Sequence, residues 1–329
     1  MAIYVLRRVL MMIPVLLIGS VIVFVIIQLP PGTVIEAKIA LMRNRGVEIT
    51  PELVASLNAQ YDLDKPIMVQ YFFWLGNILR GDFSYSMLFN KPVSAILAER
   101  LPLTALMSFI SFLLLNAMAI PIGIVSAVRQ HSWLDYCITF IGFIGLAVPN
   151  FIFALVLSWL VFSLTGSTAT IGLMSQQYLD AAWSLPKFLD LLNHLWIPAI
   201  VMATAGTAEQ VRIMRANLLD ELEKPYVMVA RSKGVSGARL LLKYPFRVAL
   251  NPFIVRLGWL LASLMSGELM VSVTLGLPTL APIMLQAIMA QDMFLAGSIL
   301  FIELGLTVVG ILLSDILLGI VDPRIRDAV

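Results

Sequence analysis

Between two apolar stretches, residues 223–234 read Glu-Lys-Pro-Tyr-Val-Met-Val-Ala-Arg-Ser-Lys-Gly. Their charges and hydroxyls suit recognition of a partner rather than bond-making. Pro225 fits the first position of a helix, where its missing N–H would be unpaired anyway. Gly234 can take the left-handed conformation that ends one. Arg231 and Lys233 fall in the last turn, where positive charge complements the helix dipole. The pattern predicts a self-capped helix of about nine residues. It offers an apolar strip (Tyr226, Val229 and Ala230, the last small enough for close approach) and a cationic end carrying Arg231, Ser232, Lys233 and Gly234. Ser236 predicts a cap for a following helix, 237–243, that stops before Pro245. Read without any partner, the segment is a positively charged inner loop that obeys the topology rule.

Few other residues have the types or spacing for chemistry. Glu209, Glu268, Glu303 and Asp315 lie in or near apolar stretches, and acids inside a membrane are functional candidates by default. Glu209 precedes Arg212 by three residues, so a local ion pair is expected. Asp315 is placed to snorkel or to pair with a loop arginine. Glu268 and Glu303 remain candidates for the lining of a path or for a pair across helices. His131 and His194 lack metal-site spacing. Cys137 is the only cysteine, so it forms no disulfide within the chain and reads as packing. Met11-Met12 is the one adjacent pair among the 17 methionines, which suit adaptable packing. No Gly-x-x-x-x-Gly-Lys-[Ser/Thr] loop is present to cradle phosphates. Neither a catalytic residue nor a cofactor or metal site is expected, and the chain is not read as an enzyme.

The elements that position these groups are membrane helices. Of 329 residues, 60% are hydrophobic and only 13% charged, and the mean hydropathy is +0.94. A soluble chain carries roughly 25% charge. The net charge of +2 gives no ground for a nucleic-acid partner. Spans are expected near 9–29, 102–128, 135–164, 195–214, 253–275 and 295–320. The fourth is interrupted by Thr204, Thr207, Glu209 and Gln210. Arg7 and Arg8 precede the first apolar run, which is long enough to span and reads as retained rather than as a signal peptide. With the N-terminus inside, Arg129, Arg212, Arg215, Lys224, Arg231, Lys233, Arg239, Lys243, Arg247, Arg256, Arg324 and Arg326 also fall inside. Both termini and the 215–252 loop are therefore expected in the cytoplasm. The organisation is a first span (1–30), an extracytoplasmic segment (31–101), a five-helix core (102–320) and a cytoplasmic tail (321–329). Within 31–101, Pro66 to Leu79 carries Tyr71, Phe72, Phe73 and Trp74, a pattern for a helix in the membrane interface. That helix also suits a platform for an external partner.

Tyr226-Val227-x-x-Ala230-Arg231-x-Lys233-Gly234 resembles the EAA loop of ATP-binding-cassette importer permeases, in the dipeptide/oligopeptide branch of the binding-protein-dependent transport family. The acid usual at the start of that loop is displaced to Glu223. Four further pieces are similar: Leu6-Arg7-Arg8 through Leu29-Pro30-Pro31-Gly32; Leu63-Asp64-Lys65-Pro66 through Gly81-Asp82-Phe83; Glu99-Arg100-Leu101-Pro102-Leu103-Thr104; and Asp315-Ile316-Leu317 through Asp322-Pro323-Arg324-Ile325-Arg326. Before the last span the sequence departs from the family. Thr274-Leu275-Gly276-Leu277-Pro278-Thr279-Leu280-Ala281-Pro282 lacks the tryptophan and two glycines common there, which bears on substrate class.

The resemblance implies an all-α membrane protein with six transmembrane helices and the type I importer permease fold, in a bacterial or archaeal cytoplasmic membrane. It also implies that 225–233 is the coupling helix, docking into a cleft on an ATPase subunit and tilting the spans as ATP is hydrolysed. Two ATPase subunits would hold the ATP and magnesium. A second, non-identical permease would complete the path, and an external solute-binding protein would deliver the substrate. Peptides are the expected solute. Similar systems carry nickel chelates, opines, glutathione or oligosaccharides. A stand-alone secondary transporter would need an inverted repeat with broken helices or paired mid-membrane charges. A membrane hydrolase would need a nucleophile–base pair. The sequence supplies neither.

Overall fold

Long apolar runs interrupted by proline and glycine dictate long helices with sharp corners. A computed structural model describes residues 2–29, 39, 42–43, 46, 48–60, 65–166, 172–178, 181–182, 184–256, 258 and 269–321. In chain order the helices are α1 (Ala2–Gln28), α2 (Pro51–Gln60), α3 (Ile67–Leu79), α4 (Val93–Val128), α5 (Trp133–Ala147), α6 (Asn150–Thr165), α7 (Leu185–Leu222), α8 (Pro225–Ser232), α9 (Gly237–Lys243), α10 (Pro245–Ala249), α11 (Leu269–Thr274), α12 (Leu280–Met289) and α13 (Met293–Val321). A hairpin of β1 (Tyr85–Ser86) and β2 (Lys91–Pro92) stands between α3 and α4, with Tyr85 opposite Pro92 and Ser86 opposite Lys91. The hairpin is a four-residue addition to a chain that is otherwise mostly helical, as expected. Two-residue strands are too short to show the alternation by which strands are read. Residues 87–90 make the turn, which ends on Asn90 at φ 54°.

Among the described residues, α1, α4 and α13 are each long and apolar enough to cross a membrane. The number becomes five if α5–α6 and the two halves of α7 each count as one bent span. The expected third span, 135–164, is not one rod: α5 and α6 meet at 102°. Pro149 is the cause. It pushes the residue before it out of helical geometry, and Val148 is extended at φ −87°, ψ 120°. The middle of the expected fifth span lies outside the described residues, as do Glu268, Pro30-Pro31-Gly32, Leu63-Asp64 and the 322–326 tail motif. The ends of the fifth span are helical, at 253–256 and in α11.

The chain forms two compact units. The first comprises 1–9, 104–278 and 309–329, the second 10–103 and 279–308. In the first, α7 packs against α5, α6, α10 and α11. One core gathers Leu115, Ala119, Ala203 and Val211. A second holds Ala127, Met214, Leu218, Ala249 and Phe253. Gly123 lets α4 and α7 approach closely, since a Cβ there would lie 2.6 Å from that of Met214. Asp315 on α13 pairs with Arg8 of α1 at 3.1 Å, and the Tyr4 hydroxyl donates to the Asp315 carbonyl. Its partner is a helix arginine, where the spacing left a loop arginine open. Phe140, Ile141 and Trp159 of α5 and α6 are exposed, apolar surface suited to lipid or to other helices.

In the second unit, the start of α4 joins α12 and α13 in a core of Val93, Ile96, Leu97, Leu280, Leu295 and Ile299. α3 forms one residue inside its expected start. Its aromatics divide: Tyr71 and Trp74 stack on Phe24 of α1, and Trp74 on Phe301 of α13. Phe72 and Phe73 stay exposed, the pair an interfacial helix would present to headgroups.

Candidate functional site

α8 is set by backbone geometry at both ends. Lys224 is extended at φ −67°, ψ 145°, and Pro225 opens the helix. Gly234 sits at φ +82°, a conformation that a side chain would strain. The Val235 N–H donates to the Ala230 carbonyl at 3.2 Å and the Gly234 N–H to that of Arg231 at 3.0 Å. These are the two bonds of a Schellman motif, and they occupy carbonyls the helix end would leave open. α9 begins beyond Ser236, as spaced, but the Ser236 side chain makes no cap bond.

The faces of α8 differ from the expected strip. Val227 and Ala230 are buried with Leu240 of α9, and Val235 and Tyr244 pack on them. The small Ala230 thus permits close approach within the loop itself, at 6% exposure. The outer face is Tyr226, Met228 and Val229, with Met228 and Val229 about half exposed. Arg231, Ser232, Lys233 and Gly234 follow as an exposed cationic end. Met228, which the sequence reading passed over, belongs to this face. The Tyr226 hydroxyl donates to the Glu221 carboxylate. Burial, then that carboxylate, hold the phenol above its ordinary pKa. Beside it a cleft of about 520 Å³ is lined by Glu221, Lys224, Tyr226, Lys243 and Arg247 among others. Three cations against one carboxylate make it attractive to an acidic side chain.

The acids resolve differently. Glu209 pairs with Arg256 at 2.8 Å and not with Arg212, which is exposed. Both partners are nearly half exposed, so little stability rests on the pair. Glu303 is partly buried on α13, and no salt bridge to it forms among the described residues. Sequence reasoning missed Asp135, Asp190 and Asp292. Asp135 is 2% exposed and pairs with Arg215. Asp190 accepts from the Ser175 hydroxyl at 2.6 Å. Asp292, 1% exposed, accepts from the Ser86 hydroxyl at 2.5 Å. Asp135, two residues past Trp133, reads from sequence as an ordinary first-turn acid. Among the described residues no three His, Cys, Asp or Glu side chains gather as a metal site would need.

A family model described as "Binding-protein-dependent transport system inner membrane component" matches residues 119–327, and one for the N-terminal part of such membrane components matches 1–108. The chain belongs to this family of inner-membrane transport components. It is 37% identical to the oligopeptide transport system permease protein AppB of Bacillus subtilis, over 99% of this chain and 100% of that one. It is 28% identical to the dipeptide transport system permease protein DppB of Escherichia coli, over 98% of each. Within the family it is a permease component of the peptide-permease branch.

Proposed function

We propose that this chain is one of two non-identical permease subunits of an ATP-driven importer of peptides. It crosses a bacterial or archaeal cytoplasmic membrane six times, keeps both termini inside and forms half of the translocation path. The organisation into a first span (1–30), an outer segment (31–101), a core (102–320) with its 215–252 loop, and a tail (321–329) belongs to this reading. Two separate ATPase subunits hold ATP and magnesium, and an external binding protein delivers the solute. α8 is the coupling helix. The observation that carries the reading is the exposed Tyr226–Met228–Val229 face with its cationic end, held rigid by its own caps and joined to α7 by two residues. Such a face can bury its apolar groups in a partner's cleft while Arg231 and Lys233 meet acids at the rim. Closure of the ATPase subunits then pulls on α7 and biases the spans between inward- and outward-open arrangements. Glu303 and Glu268 remain candidates for the path.

The test is ATP hydrolysis by the reconstituted complex with its binding protein and peptide. Arg231→Glu and Gly234→Pro are expected to insert and assemble but to lose stimulated hydrolysis. Wild-type stimulation in both variants would sink the assignment of α8.

A further inference from the structure

Three elements of the first unit meet at Asp135. The carboxylate lies in the first turn of α5, with Ser132 at the N-cap, and its side chain is 2% exposed. Arg215 of α7 grips it with a fork: Nε donates to Oδ1 and Nη2 to Oδ2, each at 2.9 Å. The Ser126 hydroxyl of α4 also donates to Oδ1. The His131 N–H donates to Oδ2 at 3.0 Å, from a residue in the left-handed region at φ +61°. Four donors leave this carboxylate one position.

Arg215 stands two turns before the end of α7, and Glu223 and Lys224 alone separate α7 from α8. On the neighbouring face of α7, Met214 and Leu218 pack against Ala127 of α4. Apolar contacts of this kind can slide, whereas a bidentate guanidinium–carboxylate pair fixes angle and register. Well-packed apolar residues would often hold such a site as firmly. A half-buried ion pair, its carboxylate enclosed and its guanidinium partly exposed, at the corner between two helices and the lever to α8 is therefore a directional device.

We propose that Asp135 and Arg215 are positioning residues for transport: their clasp makes the α4–α5 corner move with the α7–α8 lever when a partner loads α8. The inference rests on the reading of α8 as the docking helix. Without the clasp, α8 would move α7 alone, and ATP would be hydrolysed without opening the path.

The experiment measures peptide uptake per ATP hydrolysed by the complete complex in proteoliposomes. Asp135→Asn, Arg215→Met and the double variant are each expected to lower that ratio about tenfold, within the usual range of coupling effects. The double variant is expected to be no worse than either single one, because the residues act as a unit. Arg215→Lys, which keeps the charge but not the fork, is expected to fall between. An unchanged ratio in the single variants would overturn the proposal. Should those variants fail to assemble, Arg215→Lys decides, and a wild-type ratio there overturns it equally. A wild-type ratio in Asp135→Asn alongside lost stimulation in Arg231→Glu and Gly234→Pro would overturn the clasp and leave the docking role of α8 standing, whereas wild-type stimulation in both of those variants would overturn the docking role and the clasp with it.

Discussion

The α8–α9 loop and the β1–β2 hairpin are both small projections, yet they are held in opposite ways. The loop carries its own constraints: Pro225 at one end, Gly234 and its two backbone bonds at the other, and a core of Val227, Ala230 and Leu240. The hairpin has local bonds, such as the Phe89 N–H to the Ser86 hydroxyl at 3.2 Å, but it is also pinned by one distant side chain. Asp292 accepts from the Ser86 hydroxyl at 2.5 Å and the Leu88 N–H at 3.0 Å, while its other oxygen accepts the Leu295 N–H at 3.2 Å and so caps α13. One region is specified by neighbours in sequence, the other in part across some two hundred residues. A locally built element can transmit force as a unit, whereas a pinned one moves with whatever holds its pin.

The largest expected effect falls on the pin. Asp292→Ala strands the buried Ser86 hydroxyl and two N–H groups, at about 3 kcal/mol in sum. Hydrogen exchange should quicken across 84–92 and leave 225–244 unchanged. Exchange that quickens equally in both regions would erase the contrast. Gly234→Val forces a branched side chain into φ +82° and is expected to cost about 1–2 kcal/mol. Here exchange should rise in 225–235 alone. Ser236→Ala comes last, within about 0.5 kcal/mol, because no cap bond is lost. A shift near 1 kcal/mol in thermal unfolding would restore the cap that the sequence implied.

The same division explains what could be read from sequence. α8 was legible because Pro225 and Gly234 act on their own backbone. α3 and the long helices were legible from apolar runs. The α5–α6 corner was missed although Pro149 stands in plain view, because the apolar run continues across it. Glu209 was assigned Arg212 by spacing, but Arg256 reaches it from 47 residues away, a choice made by packing. Asp135 and Asp292 were invisible for the same reason: each lies beside a helix start, and only the fold brings Arg215 or Ser86 to it. The buried side of α8 was misjudged because Ala230 suits either face, and the position of Leu240 decides.

The length of α7 sets a distance. If its apolar stretch ends near Met214, the eight residues from Arg215 to Leu222 continue for about 12 Å at 1.5 Å each. A headgroup layer is roughly 5–8 Å deep on each side of the hydrocarbon. On the proposed reading, that length stands α8 off beyond the lipid surface, where an ATPase subunit would reach its face without dehydrating against the bilayer.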